Sequence, residues 1–312
     1  MGQRHLAGIM EDASSIALIE PKQEARDICR AIVSEYPGIN YIDYSSIEDL
    51  TSPLQYDLAI LSGTALGRLE QFSRLVGSGI KKFLIEKPLE QSRARTHEIL
   101  ALAAKSDVKV WPNHYRRCLG AYTELRELKQ PLIISVTSGA MGLGCNGIHW
   151  IDFALDLTGQ QKGTLLFGEV DEMSIGSGRG PGFRDYGGRA VYAFPDGSRL
   201  FLSSTASSSA PTVFSILSAN QHWVVDQDAD KAIIHQKPED QGQATYLYGK
   251  DYVSKEIEGV ESVKLADITR KFIADLKEGN TPLLPTLEMV APGYEMLFDL
   301  LETTGEKEFL FT

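Results

Sequence analysis

Three short stretches carry side chains able to hold a polar ligand or move a proton. "FLIEKPLEQS" sets Glu86, Lys87 and Pro88 at the end of an apolar run, where a lysine ammonium can stabilise a developing alkoxide or exchange a proton. "WPNHYRR" follows the next apolar run in the same way and offers Asn113, His114 and Arg116. "GCNGIHWIDFALDLTG" puts Cys145, His149 and Asp152 at i, i+4 and i+7, one face of a helix. Histidine as a residue type titrates near neutrality, which suits it to relaying protons. Each stretch also has a structural reading: a turn cap for Lys87, a polar loop for residues 113–116, and a packed helix-start histidine for His149. As zinc ligands, Cys145, His149 and Asp152 have no further cluster to join, and three ligands on one helix face seldom converge on an ion. No metal site is expected.

The elements that must position these residues change character once. "SSIALIE", "YDLAILS", "KFLIE" and "VKVWP" read as short apolar strands, separated by the helical stretches "PKQEARDICRAIVSEY", "LGRLEQFSRLVGSG" and "PLEQSRARTHEILALAAK". Strands alternating with helices imply right-handed crossovers and a parallel sheet covered on both faces. Its ligands lie at the C-terminal ends of the strands, and Pro88 suits the first turn of the helix that follows. After "RRCLGAYTELREL", alternating strands take over in "LIISVTSG", "RAVYAFPDGSRLFLSS", "TVFSILSA" and "QHWVVD", with Pro195-Asp196-Gly197 as a hairpin turn. That pattern predicts a large, mostly antiparallel, largely consecutive sheet. The helix "GIHWIDFALDLTG" interrupts it, and helices near Ser262–Gly279 and Thr286–Thr304 close the chain. The fold class is α/β: a nucleotide-binding (Rossmann-type) domain over residues 1–116, then an α+β domain over 117–312.

Composition sets outer limits. The 312 residues are 43% hydrophobic and 23% charged, enough for two domains with full cores. A net charge of -11 repels phosphate backbones and argues against a nucleic-acid partner. No apolar stretch approaches the roughly 20 residues of a membrane helix, and no leader of signal-peptide type is apparent, so a cytoplasmic protein is expected. Cys29, Cys118 and Cys145 are unclustered and read as free thiols.

The order strand-acid, E-K-P, N-x-x-R and G-x-H-x-x-D resembles the glucose-fructose oxidoreductase, inositol dehydrogenase and MocA family (Gfo/Idh/MocA) over nearly the whole chain. That resemblance implies a dehydrogenase or reductase using NAD or NADP on the hydroxyl or keto carbon of a sugar, sugar derivative or nucleotide sugar. It sets Lys87 beside the nicotinamide and the substrate hydroxyl and makes His149 the acid/base. Gly2, Glu20, Thr64, Glu86, Lys87 and Asn113 would meet the cofactor. Arg116, Asn146, Asp185 and Tyr186 would join Lys87 and His149 around the substrate. Glu20, ending "IALIE" where an acid binds the adenine ribose hydroxyls, favours NAD; Lys22 leaves NADP open. A homo-oligomer, dimer or tetramer, would form through the C-terminal sheet.

Two departures follow from the same resemblance. "MGQRHL" looks like the last glycine of a G-x-G-x-x-G loop and the start of its helix, so the preceding strand and first two glycines are missing from the sequence and two strands would lack their common neighbour. A misplaced start is the favoured explanation. Cys145 stands where inositol-dehydrogenase-like members carry an aspartate, leaving Lys87 and His149 unless Asp185 or Tyr186 stands in. The alternative to an oxidoreductase is a non-catalytic sugar-binding or regulatory homologue.

Overall fold

Short apolar strands can lie side by side in one direction only if the chain crosses back between them, and residues 15–112 obey that rule. The computed structural model describes residues 1–51, 53–237 and 252–312. Contacts divide the chain into two units: Met1–Glu90, Ala94–Cys118 and Val263–Leu287 in the first; Gln91–Arg93, Leu119–Ser262 and Glu288–Thr312 in the second.

The first unit begins with α1 (Gly2–Ile9) and alternates β1 (Ser15–Ile19), α2 (Gln23–Ser34), β2 (Asn40–Tyr44), β3 (Ala59–Leu61), α3 (Arg68–Gly77), β4 (Lys82–Ile85), α4 (Arg93–Ser106) and β5 (Lys109–Pro112). Every registered strand pair here is parallel. Among the described residues the strands form two separate ladders, β1–β2 and β3–β4–β5, so β1 and β3 each pair with one neighbour. β4 is covered on both faces, with Phe83, Leu84 and Ile85 fully buried, which is why its sequence is a continuous apolar run. The chain does not turn helical at Pro88: residues 88–92 run as a buried turn and α4 starts at Arg93.

The second unit holds β6 (Ile133–Ser138), α5 (Ile148–Thr158), β7 (Thr164–Gly176), β8 (Arg184–Ala193), β9 (Arg199–Ser204), β10 (Val213–Leu217), β11 (Gln221–Asp226), β12 (Lys231–Gln236) and β13 (Val253–Glu258). They form one sheet in the order β13-β12-β11-β10-β6-β9-β8-β7. It is antiparallel except where β6 pairs with β9 in parallel. This departs from a consecutive order, because the chain leaves β6 through α5 and returns only at β9. α5 is buried along its length apart from Asp156, and Trp150 and Phe153 pack with Tyr122 and Phe214 in an aromatic cluster. Residues 119–128 are not one α-helix. Leu119, Tyr122, Leu125 and Leu128 are buried at a spacing of three, and the segment winds as short 3-10 turns, whose period is three.

Two further helices follow, α6 (Leu265–Glu278) and α7 (Leu287–Leu301). Among the described residues, no helix is long and apolar enough to cross a membrane. The sequence reading puts α6 in the second domain; its contacts put it in the first unit. The reason is its apolar face: Ile268 and Phe272 pack on Leu84 of β4 and Trp111 of β5, with the Phe272 and Trp111 rings edge to face at 5.3 Å. α1 crosses α6 at Gly8, where a Cβ would stand 2.5 Å from the Ala266 carbonyl oxygen. Phe272→Ala should cost about 3–5 kcal/mol and raise amide exchange in β4 and β5 while leaving residues 133–236 as protected as before. Exchange rising instead in the antiparallel sheet would return α6 to the second domain.

Candidate functional site

Parallel strands bring their C-terminal ends to one edge, where open α/β sheets bind ligands. In the first unit the residues just past those ends are Glu20 after β1, the loop holding Thr64 after β3, Glu86 and Lys87 after β4, and Asn113 with Arg116 after β5. Gly2 reaches this edge as well, since a Cβ on it would lie 2.9 Å from Ser62 Oγ. Glu20 is half-buried and accepts a hydrogen bond from the Lys22 amide at 2.9 Å. Lys87 and Thr64 are half-buried. Arg116 is buried, with its guanidinium over the Tyr115 ring.

Glu86 is the centre of a buried polar cluster. Its Oε1 accepts from His5 Nε2 at 2.9 Å and from Asn113 Nδ2 at 2.8 Å. The other ring nitrogen of His5 meets Thr269 Oγ1 at 2.9 Å, and that hydroxyl donates to the Leu265 carbonyl. Both imidazole nitrogens therefore have hydrogen-bond partners. Burial opposes ionisation of Glu86, yet the hydrogen bond and charge of His5, then the Lys87 ammonium and Asn113, hold its carboxyl below the usual carboxylate range. Beside this cluster the buried Arg68 guanidinium donates to the carbonyls of Glu86, Pro88 and Gly63. His5 as an acid partner, Arg68 and Thr269 were missed by sequence reasoning. The available signal was phase: Arg68 shares the helical stripe of the buried Phe72 and Leu75.

The second unit presents its own set. A π-helical turn, Leu143–Gly147, leads into α5, and it carries Cys145 and Asn146, both half-buried. Among the described residues no group of three or more His, Cys, Asp or Glu side chains could hold a metal ion. His149, the second residue of α5, is buried, as is Asp152. Asp185 on β8 accepts from the Gly144 amide at 2.8 Å and the Cys145 amide at 3.0 Å. Its two oxygens thus steady the helix start, a task sequence reasoning had not assigned beside its expected place at the substrate. Gly142 is required there: it has φ +79° and a Cβ would fall 2.2 Å from Asp185 Oδ2. Tyr186 is buried edge to face against Phe309.

The lowered Glu86 carboxyl has a consequence for stability. A depressed folded value means that the contribution is present above the ordinary 4.5 and is lost as pH falls through the folded value. Glu86→Gln should therefore lower stability at pH 7 by about 1.5–3 kcal/mol, the range for hydrogen bonds to charged groups. The gap to the wild type should narrow as pH drops below the ordinary 4.5. Thermal unfolding of both proteins across acid pH checks this; a gap that stays constant would mean that Glu86 is not held ionised.

No protein-family model matches the chain, and none of the curated proteins does. Solved structures do. UDP-N-acetylglucosamine 3-dehydrogenase GnnA from Acidithiobacillus ferrooxidans superposes with a TM-score of 0.73 at 13% identity, covering 96% of this chain and 93% of that one. An NAD binding oxidoreductase from Klebsiella pneumoniae gives 0.71 at 12% identity, covering 98% and 94%. The super-repressor mutant of Gal80p from Saccharomyces cerevisiae gives 0.70 at 13% identity, covering 97% and 92%. With its N-terminal parallel strands and its large, mostly antiparallel sheet, this chain has the fold of the Gfo/Idh/MocA-type dehydrogenases.

Proposed function

We propose that the chain is a nicotinamide-dependent oxidoreductase acting on a hydroxyl or keto carbon of a sugar, sugar derivative or nucleotide sugar. The observation that carries this reading is the edge formed by the ends of the parallel strands β3, β4 and β5, where Gly2, Thr64, Lys87 and Asn113 lie. The residues there suit a dinucleotide. Asn113 Oδ1 is buried with no hydrogen-bond partner among the described residues, an acceptor matched to an amide or ribose hydroxyl donor. Gly2 opens α1, whose first amides would face a pyrophosphate, and Glu20 would take the ribose hydroxyls, which favours NAD, with NADP left open by Lys22. Bound there, the cofactor would supply hydride transfer.

The chain's own residues then handle the proton and the charge. Lys87 would hydrogen-bond the substrate hydroxyl and stabilise the oxygen as it loses its proton. His149 would take up that proton and pass it to solvent. Arg116, Asn146 and Tyr186 would orient the remaining hydroxyls, and Asp185 would act through the turn it holds. UDP-N-acetylglucosamine, the sugar nucleotide in GnnA's name, is the first substrate to try. A second reading, a regulatory homologue without turnover, draws support from the likeness to Gal80p and from Cys145 in place of an acid.

NADH titration followed by fluorescence separates these readings at the first step. Lys87→Ala should abolish turnover with the fold intact by circular dichroism, and His149→Asn should keep NADH binding while kcat falls by about 10²- to 10⁴-fold. Full turnover in Lys87→Ala would remove the lysine from the mechanism, and an unchanged rate and pH profile in His149→Asn would make that histidine structural.

The outer face of the large sheet supports self-association. Phe167, Val191, Phe201, Ser135, Ser215, Val224 and Ile233 lie in one cross-strand row, and Phe167, Phe201 and Ile233 are 50%, 41% and 40% exposed. Exposed apolar side chains at both ends of such a row, joined by the small Ser135 and Ser215, favour an interface, and a dimer or tetramer is proposed. Phe201→Glu should reduce the mass seen by light scattering to that of a single chain; a wild type already monomeric would end the proposal.

A further inference from the structure

Arg68 is the first residue of α3, and its side chain is among the largest that are fully buried. Burying a guanidinium is unfavourable unless its donors are satisfied, and here they are spent on backbone. Nη1 donates to the carbonyls of both Glu86 and Pro88, and Nη2 donates to the Gly63 carbonyl at 2.6 Å. Glu86 and Pro88 flank Lys87 on either side, while Gly63 directly precedes Thr64. One rigid, planar fork thus ties the loop after β3 to the loop after β4. Glu86 is locked a second time through its side chain by His5 and Asn113. Lys87 therefore springs from a backbone fixed at both neighbouring residues.

We propose that Arg68 is a positioning residue: it sets Lys87 relative to the loop bearing Thr64, and so relative to a cofactor and substrate held at that edge. The role rests on the oxidoreductase reading. A lysine at position 68 would keep the charge but present one compact ammonium on a flexible stem, which lacks the planar fork that reaches carbonyls of both loops. The chemistry demands this accuracy, because a displacement of about 1 Å in a reacting group can cost about 10²-fold in rate.

The test uses the full chain as wild type, Arg68→Lys, Arg68→Met and Lys87→Ala, each checked for folding by circular dichroism. Amide exchange by mass spectrometry should rise in Arg68→Lys by about tenfold across residues 62–67 and 86–92, with residues 15–44 and 133–236 unchanged. With NAD and UDP-N-acetylglucosamine, kcat should fall by about 10²-fold while KM stays within about twofold, and the pH profile of kcat should move. Unchanged exchange in the two loops overturns the clamp. Looser loops with a wild-type kcat and pH profile, in a protein that Lys87→Ala inactivates, reduce Arg68 to a structural role and overturn the proposal. A wild type that neither binds NADH nor turns over sinks the oxidoreductase reading instead. Arg68→Met serves as the second variant should Arg68→Lys fail to fold.

Discussion

A carboxylate buried as deeply as Glu86 must be met by donors, and meeting that need organises the first unit. The donors come from two separate elements, His5 on α1 and Asn113 past β5, and His5 is itself seated by Thr269 on α6. His5 and Thr269 are 264 residues apart in sequence. The return of α6 to the first unit is thus more than hydrophobic packing on Leu84 and Trp111: it also completes the hydrogen bonding of the imidazole. Because Glu86 precedes Lys87, every one of these contacts bears on the backbone from which the candidate reacting group extends.

The second unit solves a similar problem with a different acid. Asp185 accepts two amides at the start of the helix that carries His149, where the unsatisfied N–H groups and the helix dipole both favour a negative charge. Its carboxylate comes from a strand, so the helix start is fixed to the sheet rather than left to fray. The π-helical turn between Gly142 and α5 carries Cys145 and Asn146. The amides that Asp185 accepts lie in that turn, so the strand and the helix start are fixed together just ahead of His149.

Much of this was legible in the sequence. The alternation of "IALIE", "LAILS", "FLIE" and "KVWP" with amphipathic runs specified β1, β3, β4 and β5 though not β2, and Pro195-Asp196-Gly197 marked its hairpin, because these signals depend on local physics. What escaped depends on distance. β7 went unread because it is an edge strand whose burial does not alternate cleanly. Residues 119–128 were assigned no element, because apolar residues three apart, Leu119, Tyr122, Leu125 and Leu128, suit the α-helical and the 3-10 period almost equally. Arg68 was not singled out, because nothing local discloses that three carbonyls await it. The pairing of His5 with Glu86 was hidden for the same reason: only the fold brings them together.

The broken ladder of the first unit gives these long-range contacts added weight. In a continuous parallel sheet, interstrand hydrogen bonds fix the strand ends relative to one another. Here β1–β2 and β3–β4–β5 are separate ladders among the described residues, so side chains must carry part of that coupling. α1 is placed to do so. Leu6 and Met10 enter the core with Ile16, Cys29 and Val33 on the β1 side, while His5 bonds Glu86 past β4 and Gly8 lets the helix press on α6. Arg68 adds the link between the loops after β3 and β4. The ends of the first unit's strands are thus registered by one helix, one imidazole and one guanidinium, and a cofactor spanning Glu20 to Lys87 would depend on those three for its geometry.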